Sequence, residues 1–272
     1  MQYSKPIIVD DIDVPDLNFS EQEIEFYLIS VYSGIITKNN LSVEYHYRLA
    51  AYLEQALYEG FGSDLNINFL SQGYETLRAL RSHIYVFSAA KQYTQVREMS
   101  AFINIRGEIS SFKEFKDLAG GVFDVYNKNY LRTEYNTAVG QAQMASQWVD
   151  FVEQQNTLPM LTYRTQKDAR VRDEHAALEG ITRPVNDPFW NTFMPKNGWN
   201  CRCFVTQHDN KRATDLSKRD LSATEDEKKF PKVFRMNPGK DRLVFNPKHH
   251  PYFRVAKGDK GFREANYNLP IL

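Results

Sequence analysis

A heptad-like run of apolar residues constrains the fold of this chain more than any other feature of its sequence. The residues alternate spacings of four and three over about six helical turns. They are Leu131, Tyr135, Ala138, Ala142, Ala145, Val149 and Val152. This spacing places them on one side of an α-helix, and the central alanines leave room for a close neighbour. We therefore predict a buried bundle helix; an intermolecular seam is the alternative that the spacing leaves open.

Helical signals dominate the chain before this run as well. Ser20 with Glu23, and Ser111 with Glu114, have the spacing of capping boxes, which mark the first turn of a helix. Apolar residues at helical spacing predict helices over 20–37, 43–59, from about 71 to 104, and after Ser111 with an interruption at Gly120-Gly121.

The predicted secondary structure changes at Leu158-Pro159, from long helices to short strands and loops. Strands are predicted over 160–164, 200–208, 242–246 and, more weakly, 252–256, with a short helix near 172–178 and another after Ser222. The prediction is an α+β fold, in which a helix-rich N-terminal half precedes a smaller, loop-rich α+β domain with a short antiparallel sheet. The predicted parts are an extended arm (1–19), a helical region (20–157), the α+β domain (158–256) with a charged insertion (209–232), and a tail (257–272).

The α+β domain holds both cysteines of the chain and two of its three tryptophans within a short span. We predict that the residues listed next form a sequence motif together with the structural core that supports it. They are Arg164, Asp168, Arg172, His175, Gly180, Trp190, Trp199, Cys201, Arg202 and Cys203. Asp168 and Glu174 are predicted to pair with neighbouring arginines, an arrangement that could also bind an anion.

Cys201 and Cys203 are two residues apart, so their side chains would share one face of a strand. Two buried, reduced cysteines that pack as small apolar groups are the simpler interpretation. The alternative is a zinc site completed by His175 and His208, or a cysteine nucleophile with His175 as its base. No glycine-rich phosphate loop or metalloprotease helix is present, so we expect neither a catalytic set nor a cofactor, with zinc as the one alternative.

Charge and composition exclude several classes of protein. The formal net charge is zero, which disfavours a general nucleic-acid coat. Residues 1–30 hold seven acidic residues and one lysine, whereas residues 210–272 hold fifteen Lys or Arg against eight acids. The basic 210–272 region could contact DNA or an acidic partner, although a solvated surface is the simpler interpretation. We expect no signal peptide, no membrane span and no disulfide framework, which is typical of a reducing cytoplasm.

The motif resembles a known family. Its elements are Tyr163-Arg164-Thr165, Asp168, Arg170-Val171-Arg172, His175, Leu178-Glu179-Gly180, Pro195 and Gly198-Trp199-Asn200-Cys201-Arg202-Cys203. Together with the preceding Leu131-Arg132-Thr133-Glu134-Tyr135-Asn136 helix, they resemble the phage Mu protein F-like family over about residues 125–207. The segment Phe234–Phe253 is similar to a tail found in some members.

This resemblance implies a minor head protein of a tailed phage or prophage that acts in head morphogenesis, and in DNA packaging or delivery. Its implied partners are the portal and capsid proteins, and its implied location is the virion, after assembly in the host cytoplasm. The resemblance implies no catalytic activity. The competing hypothesis is a metal- or cysteine-dependent enzyme that uses His175, Cys201 and Cys203.

Overall fold

The computed structural model describes residues 14–62, 71–209 and 211–258. These residues fall into two compact units. One, here called the sheet unit, contains 55–62, 71–81 and 135–246 apart from residue 210. The other, here called the helical unit, contains 14–54, 82–134 and 247–258. Most of the predicted arm (1–19) and of the tail (257–272) lies outside the described residues.

Five helices of at least three turns lie within the described residues before position 154. They are α1 (Glu21–Tyr32), α2 (Val43–Phe61), α3 (Gln72–Ser100), α4 (Phe112–Asp124) and α5 (Leu131–Glu153). Both predicted capping boxes are confirmed: the hydroxyls of Ser20 and Ser111 accept hydrogen bonds from the backbone of Glu23 and Glu114, and each carboxylate accepts one in return.

Two helix predictions were wrong in detail. The first helix ends at Tyr32 rather than near residue 37, because Gly34 adopts a left-handed turn with φ of 78°. The predicted interruption at Gly120-Gly121 is absent. Helix α4 continues through both glycines and joins α5 through a π-helical turn, Val125–Tyr130.

Helix α5 is the buried helix that the heptad-like run predicted. Its three seam alanines have no exposed surface: Ala138, Ala142 and Ala145. A neighbouring helix approaches closely, as the small residues predicted. A Cβ atom built on Gly60 of α2 would lie 2.1 Å from the carbonyl oxygen of Val139, so only glycine fits there.

The sheet unit is built on three antiparallel strands in the order β4-β3-β5. Strands β1 (Asn104–Ile105) and β2 (Glu108–Ile109) form a separate hairpin in the helical unit. The three strands of the sheet unit are β3 (Met160–Arg164), β4 (Thr182–Pro184) and β5 (Phe204–His208). Met160 pairs with Pro184 on one side and His208 on the other. The predicted α+β class, with its short antiparallel sheet, is confirmed.

One strand prediction was wrong in its starting residue, and two predicted strands are absent. Strand β5 begins at Phe204 rather than Asn200, because Asn200 takes a left-handed φ of 53° within a turn. Residues 242–246 form no strand, since α8 (Pro238–Asp241) ends in a left-handed Arg242. Residues 252–256 lie in a helix, α9 (Pro251–Gly258), which proline opens at its first position.

The core of the sheet unit joins α5 to the strands and loops. It contains Trp148, Phe151, Leu161, Tyr163, Leu178, Ile181, Trp190, Met194, Cys201, Cys203 and Phe230, among others. Two further short helices border it, α6 (Asp173–Ala176) and α7 (Trp190–Phe193). Among the described residues, no helix has both the length and the apolar character needed to span a bilayer.

Candidate functional site

The candidate site lies where two loop segments meet beside strands β3 and β5. The first segment leaves β3 at Arg164 and leads into α6, which carries His175. The second leads into β5 and carries Cys201 and Cys203 just before the strand. The prediction that the cysteines share a strand face was therefore wrong, yet both side chains still point to one histidine.

One ring nitrogen of His175 faces both cysteine sulfurs. The Nδ1 atom lies 3.6 Å from Sγ of Cys201 and 3.6 Å from Sγ of Cys203. The three side chains are buried, and their ligand atoms lie within 4.8 Å of one another. Both cysteines are free thiols. The ring of Phe230 packs edge-on against the imidazole at 6.0 Å, which keeps one side of the group apolar.

The pKa values of the two thiols shift in opposite directions, and the hydrogen bond between them contributes to both shifts. Burial opposes ionisation of Cys201, but hydrogen bonds from Cys203 and His175, and electrostatic interactions with His175 and Lys196, lower its pKa well below the ordinary value. The hydrogen bond with Cys201, and then burial, raise the pKa of Cys203.

Lys196 is a member of the site that the sequence analysis missed. Its side chain is 2% exposed, and no described residue accepts a hydrogen bond from its Nζ atom. Burial lowers the pKa of Lys196, while attraction to Cys201 and Cys203 acts in the opposite direction. Gly140 of α5 makes room for its aliphatic chain, since a Cβ there would lie 3.0 Å from Lys196 Cγ.

A polar pocket of about 280 Å³ opens beside the cysteines. Its lining includes three arginines together with the triad of His175, Cys201 and Cys203. Arg202 makes a two-point ion pair with Asp168, with N–O distances of 2.6 and 2.7 Å. This hydrogen-bonded pair lowers the pKa of Asp168. The pocket therefore combines positive charge with two sulfur ligands.

Arg172 is fixed by the loop before the cysteines. Its Nη2 atom donates a hydrogen bond of 2.6 Å to the carbonyl oxygen of Trp199. A Cβ on Gly198 would lie 2.7 Å from Arg172 Nη1, so glycine leaves the space that the guanidinium needs. The Trp199 ring in turn packs edge-on against Phe234 at 4.9 Å. These contacts connect three motif residues into one loop structure.

A second group of polar contacts is centred on Glu179 and holds the segment that follows β3. Its carboxylate accepts hydrogen bonds from the backbone N–H and hydroxyl of Thr165 and from Arg164. Burial alone would raise the pKa of Glu179, but these hydrogen bonds lower it below the ordinary value. Gly180 follows with a positive φ of 77°, as a helix-ending glycine does.

The remaining predicted residues lie outside the triad. Trp190 is fully buried, and its indole N–H donates to the carbonyl oxygen of Pro184. His208 lies at the end of β5, where its Nε2 atom is 2.9 Å from the hydroxyl of Thr206. Of the four residues named as zinc ligands from the sequence, three come together in the described structure and His208 does not join them.

Glu134, in the helix that resembles the family, has a separate structural role within the helical unit. It forms an ion pair with Lys91, and both side chains are buried. Its second carboxylate oxygen accepts a hydrogen bond of 2.8 Å from the Tyr252 hydroxyl. Tyr252 lies on α9, so Glu134 connects that helix to α3 and α5.

Comparison with known proteins agrees with the resemblance in the motif. Residues 80–206 match the family model described as Phage Mu protein F like protein. This range contains the whole triad, the three arginines of the pocket and Glu134. The predicted resemblance to this family of phage proteins is therefore confirmed over these residues.

Two particular relatives are similar to parts of the chain. The putative capsid assembly protein F of Escherichia phage Mu is 37% identical over 75 residues, which are 28% of this chain and 17% of the relative. The Mu-like prophage FluMu F protein of Haemophilus influenzae is 32% identical over 98 residues, which are 36% of this chain and 24% of the relative. The alignments thus span less than a quarter of each relative's length. No solved structure matches the chain.

Proposed function

We propose that this protein takes part in assembly of the head of a tailed phage or prophage, as a minor component that binds the portal or the capsid shell. The observation that carries the proposal is the match of residues 80–206 to the phage Mu F-like family. The name of the phage Mu relative, a putative capsid assembly protein, supports the same role. We propose a binding role without catalysis.

The helical unit offers a surface suited to such binding. Three large apolar side chains on α1 and the turn after it are exposed: Phe26 by 71%, Ile29 by 44% and Ile35 by 63%. We call these three residues the α1 surface. Phe26 also borders a small pocket of about 80 Å³ that is lined by Phe19, Tyr27, Tyr45 and Phe123, among others. Exposed apolar residues beside an aromatic pocket are typical of protein-binding surfaces.

The first test is mass spectrometry of purified particles, comparing empty procapsids with DNA-filled heads. The proposal expects the protein in both, and expects deletion of its gene to reduce the yield of infectious particles. Absence from both kinds of particle, with normal infectivity after deletion, would refute the assembly role.

The α1 surface can be tested with one matched pair of variants. Phe26→Ser removes an exposed aromatic residue of the α1 surface, whereas Val86→Ser changes another exposed apolar residue of the helical unit, 50% accessible, on α3. An interface anchor contributes about 2 kcal/mol or more, which is about 30-fold in affinity. Incorporation into particles should fall by that order for Phe26→Ser and remain unchanged for Val86→Ser.

Contact with packaged DNA through the basic 210–272 region is a subsidiary part of the proposal. Several bases of its described part make internal contacts, such as Lys218 with Asp215 and Lys232 with Glu227. Binding of duplex DNA to the purified protein should therefore be weak and should weaken further as salt is raised, because phosphate contacts release counterions. Binding that is insensitive to salt would refute this part.

A further inference from the structure

We propose that His175, Cys201 and Cys203 bind one zinc ion, whose fourth coordination position faces the arginine-lined pocket and is filled by water. This inference rests on the geometry of the sheet unit and is independent of the proposed assembly function. It assigns a metal site to the motif. The proposed assembly function does not require any chemical role for these residues.

The distances between the ligand atoms fit a tetrahedral ion. Zinc lies about 2.3 Å from a cysteine sulfur and about 2.0–2.1 Å from a histidine nitrogen. At a tetrahedral angle, these bond lengths place the nitrogen and each sulfur about 3.6 Å apart. The structure has 3.6 Å for both Nδ1–Sγ distances. Both nitrogen–sulfur distances therefore fit one shared ion, and the three ligand atoms all lie within 4.8 Å of one another.

The alternative interpretation is a hydrogen bond from a thiol to the imidazole. A neutral imidazole has one acceptor nitrogen, and a single proton between Nδ1 and a sulfur serves only one of the two thiols. Here both sulfurs are equidistant from the same nitrogen. A metal ion bonds all three atoms at once, whereas a hydrogen-bonded arrangement needs a further hydrogen bond between the two thiols.

The ligand types of the site also favour a soft divalent cation. Thiolate and imidazole ligands select zinc over magnesium or calcium, which prefer oxygen. The buried amine of Lys196 is attracted to both Cys201 and Cys203, and its Nζ atom has no hydrogen-bond acceptor among the described residues. Metal-bound thiolates remain weak acceptors and retain negative charge, so they give this buried amine a partner.

The fourth position is open because the described residues supply three ligands. Zinc sites with three protein ligands keep a water in the fourth position, while closed structural sites use four. The adjoining pocket of about 280 Å³ has room for several waters, since each occupies about 30 Å³ in the liquid. The nearby Arg170, Arg172 and Arg202 would favour an anion that replaces this water.

The site can be tested on the full chain after removal of any affinity tag. Metal analysis of protein purified with zinc in the medium should give about one zinc ion per chain. The Cys201→Ser/Cys203→Ser variant should lose nearly all of it. His175→Cys keeps a zinc ligand and should retain the ion, while His175→Ala should not. His208→Ala is the matched control, because His208 lies outside the triad, and it should retain full zinc content.

A cobalt titration of the wild-type protein avoids any dependence on how the variants fold. Cobalt bound by two thiolates gives an intense sulfur-to-metal charge-transfer band, and added zinc should abolish the band at one equivalent. The proposal is overturned if the wild type, reduced and supplied with zinc, holds less than about a tenth of an equivalent and shows no such band. Equal zinc content in the double cysteine variant would also overturn it, since the ion would then lie elsewhere.

Discussion

Replacement of Glu134 by glutamine should destabilise the helical unit strongly, because it removes the charge that balances a buried lysine. The side chain of Lys91 has no exposed surface, and that of Glu134 is 4% exposed. Glutamine can still accept the hydrogen bond from Tyr252, so the variant mainly removes the negative charge. Loss of one partner of a buried ion pair commonly costs about 3–5 kcal/mol.

The protonation equilibrium of Lys91 limits the part of this loss that comes from its unpaired charge. Lys91 can escape an unpaired buried charge by releasing its proton, and burial already lowers its pKa. From an unfolded pKa near 10.4, neutralisation at pH 7 costs about 4.6 kcal/mol, at 1.36 kcal/mol per pH unit. At pH 9 the same step costs about 1.9 kcal/mol.

The stability deficit of the variant should therefore shrink as pH rises. In the variant, folded Lys91 is neutral while the unfolded lysine binds a proton below pH 10.4, so stability increases with pH. The difference from wild type should fall by up to about 2.7 kcal/mol between pH 7 and pH 9.

Urea unfolding followed by far-UV circular dichroism measures this loss. The three tryptophans, Trp148, Trp190 and Trp199, all lie in the sheet unit, so their fluorescence reports on that unit separately. Glu98→Gln is the matched control, because Glu98 also accepts a tyrosine hydroxyl but is exposed. A loss below about 1 kcal/mol at pH 7, or an equal loss at pH 7 and pH 9, would refute the reasoning.

Four further substitutions test other parts of the fold. Gly60→Ala should destabilise the chain by about 1–3 kcal/mol in urea unfolding, because its Cβ would lie 2.1 Å from the Val139 carbonyl oxygen. Gly120→Ala is the matched control: its Cβ would meet nothing within 4 Å, so this variant should be neutral or more stable by about 0.5–1 kcal/mol. Ser111→Ala should cost about 1 kcal/mol by the same measurement, through loss of the α4 cap. Glu179→Gln should cost about 1–3 kcal/mol at pH 7. Because the folded pKa of Glu179 is lowered, this difference from wild type should shrink as pH falls below the ordinary glutamate pKa of about 4.3 and be lost only below the folded pKa; a constant difference would contradict the assignment.

The helices could be predicted from the sequence because their signals are local. A capping box involves residues three apart, and the seam of α5 repeats within one helix. The strand predictions at 242–246 and 252–256 failed because short apolar runs do not distinguish a strand from other buried segments. Val244 and Phe245 are buried in irregular chain, while Tyr252 and Phe253 are buried on a helix.

The candidate site was predictable in residue type but not in geometry. The spacing of Cys201 and Cys203 indicated a pair, yet the left-handed turn at Asn200 rather than a strand sets their approach to His175. Lys196 gave no signal, because an isolated lysine between proline and asparagine shows no periodicity. Its burial depends on Gly140, 56 positions earlier in the chain, and such long-range contacts have no local sequence signature.

A metal ion would explain why the loop-rich part of the sheet unit needs only three short strands. Residues 165–203 contain helices of only four residues and one strand of three, so regular backbone hydrogen bonds fix little of this stretch. A bound zinc would join α6 to the segment before β5 across 26 positions, and an ion that binds only the folded chain adds to its stability. A disulfide does not persist under reducing conditions, but a zinc-thiolate site does. In an assembly protein, such a crosslink would hold the pocket and its arginines in one geometry before any partner binds, which reduces the entropy lost on binding.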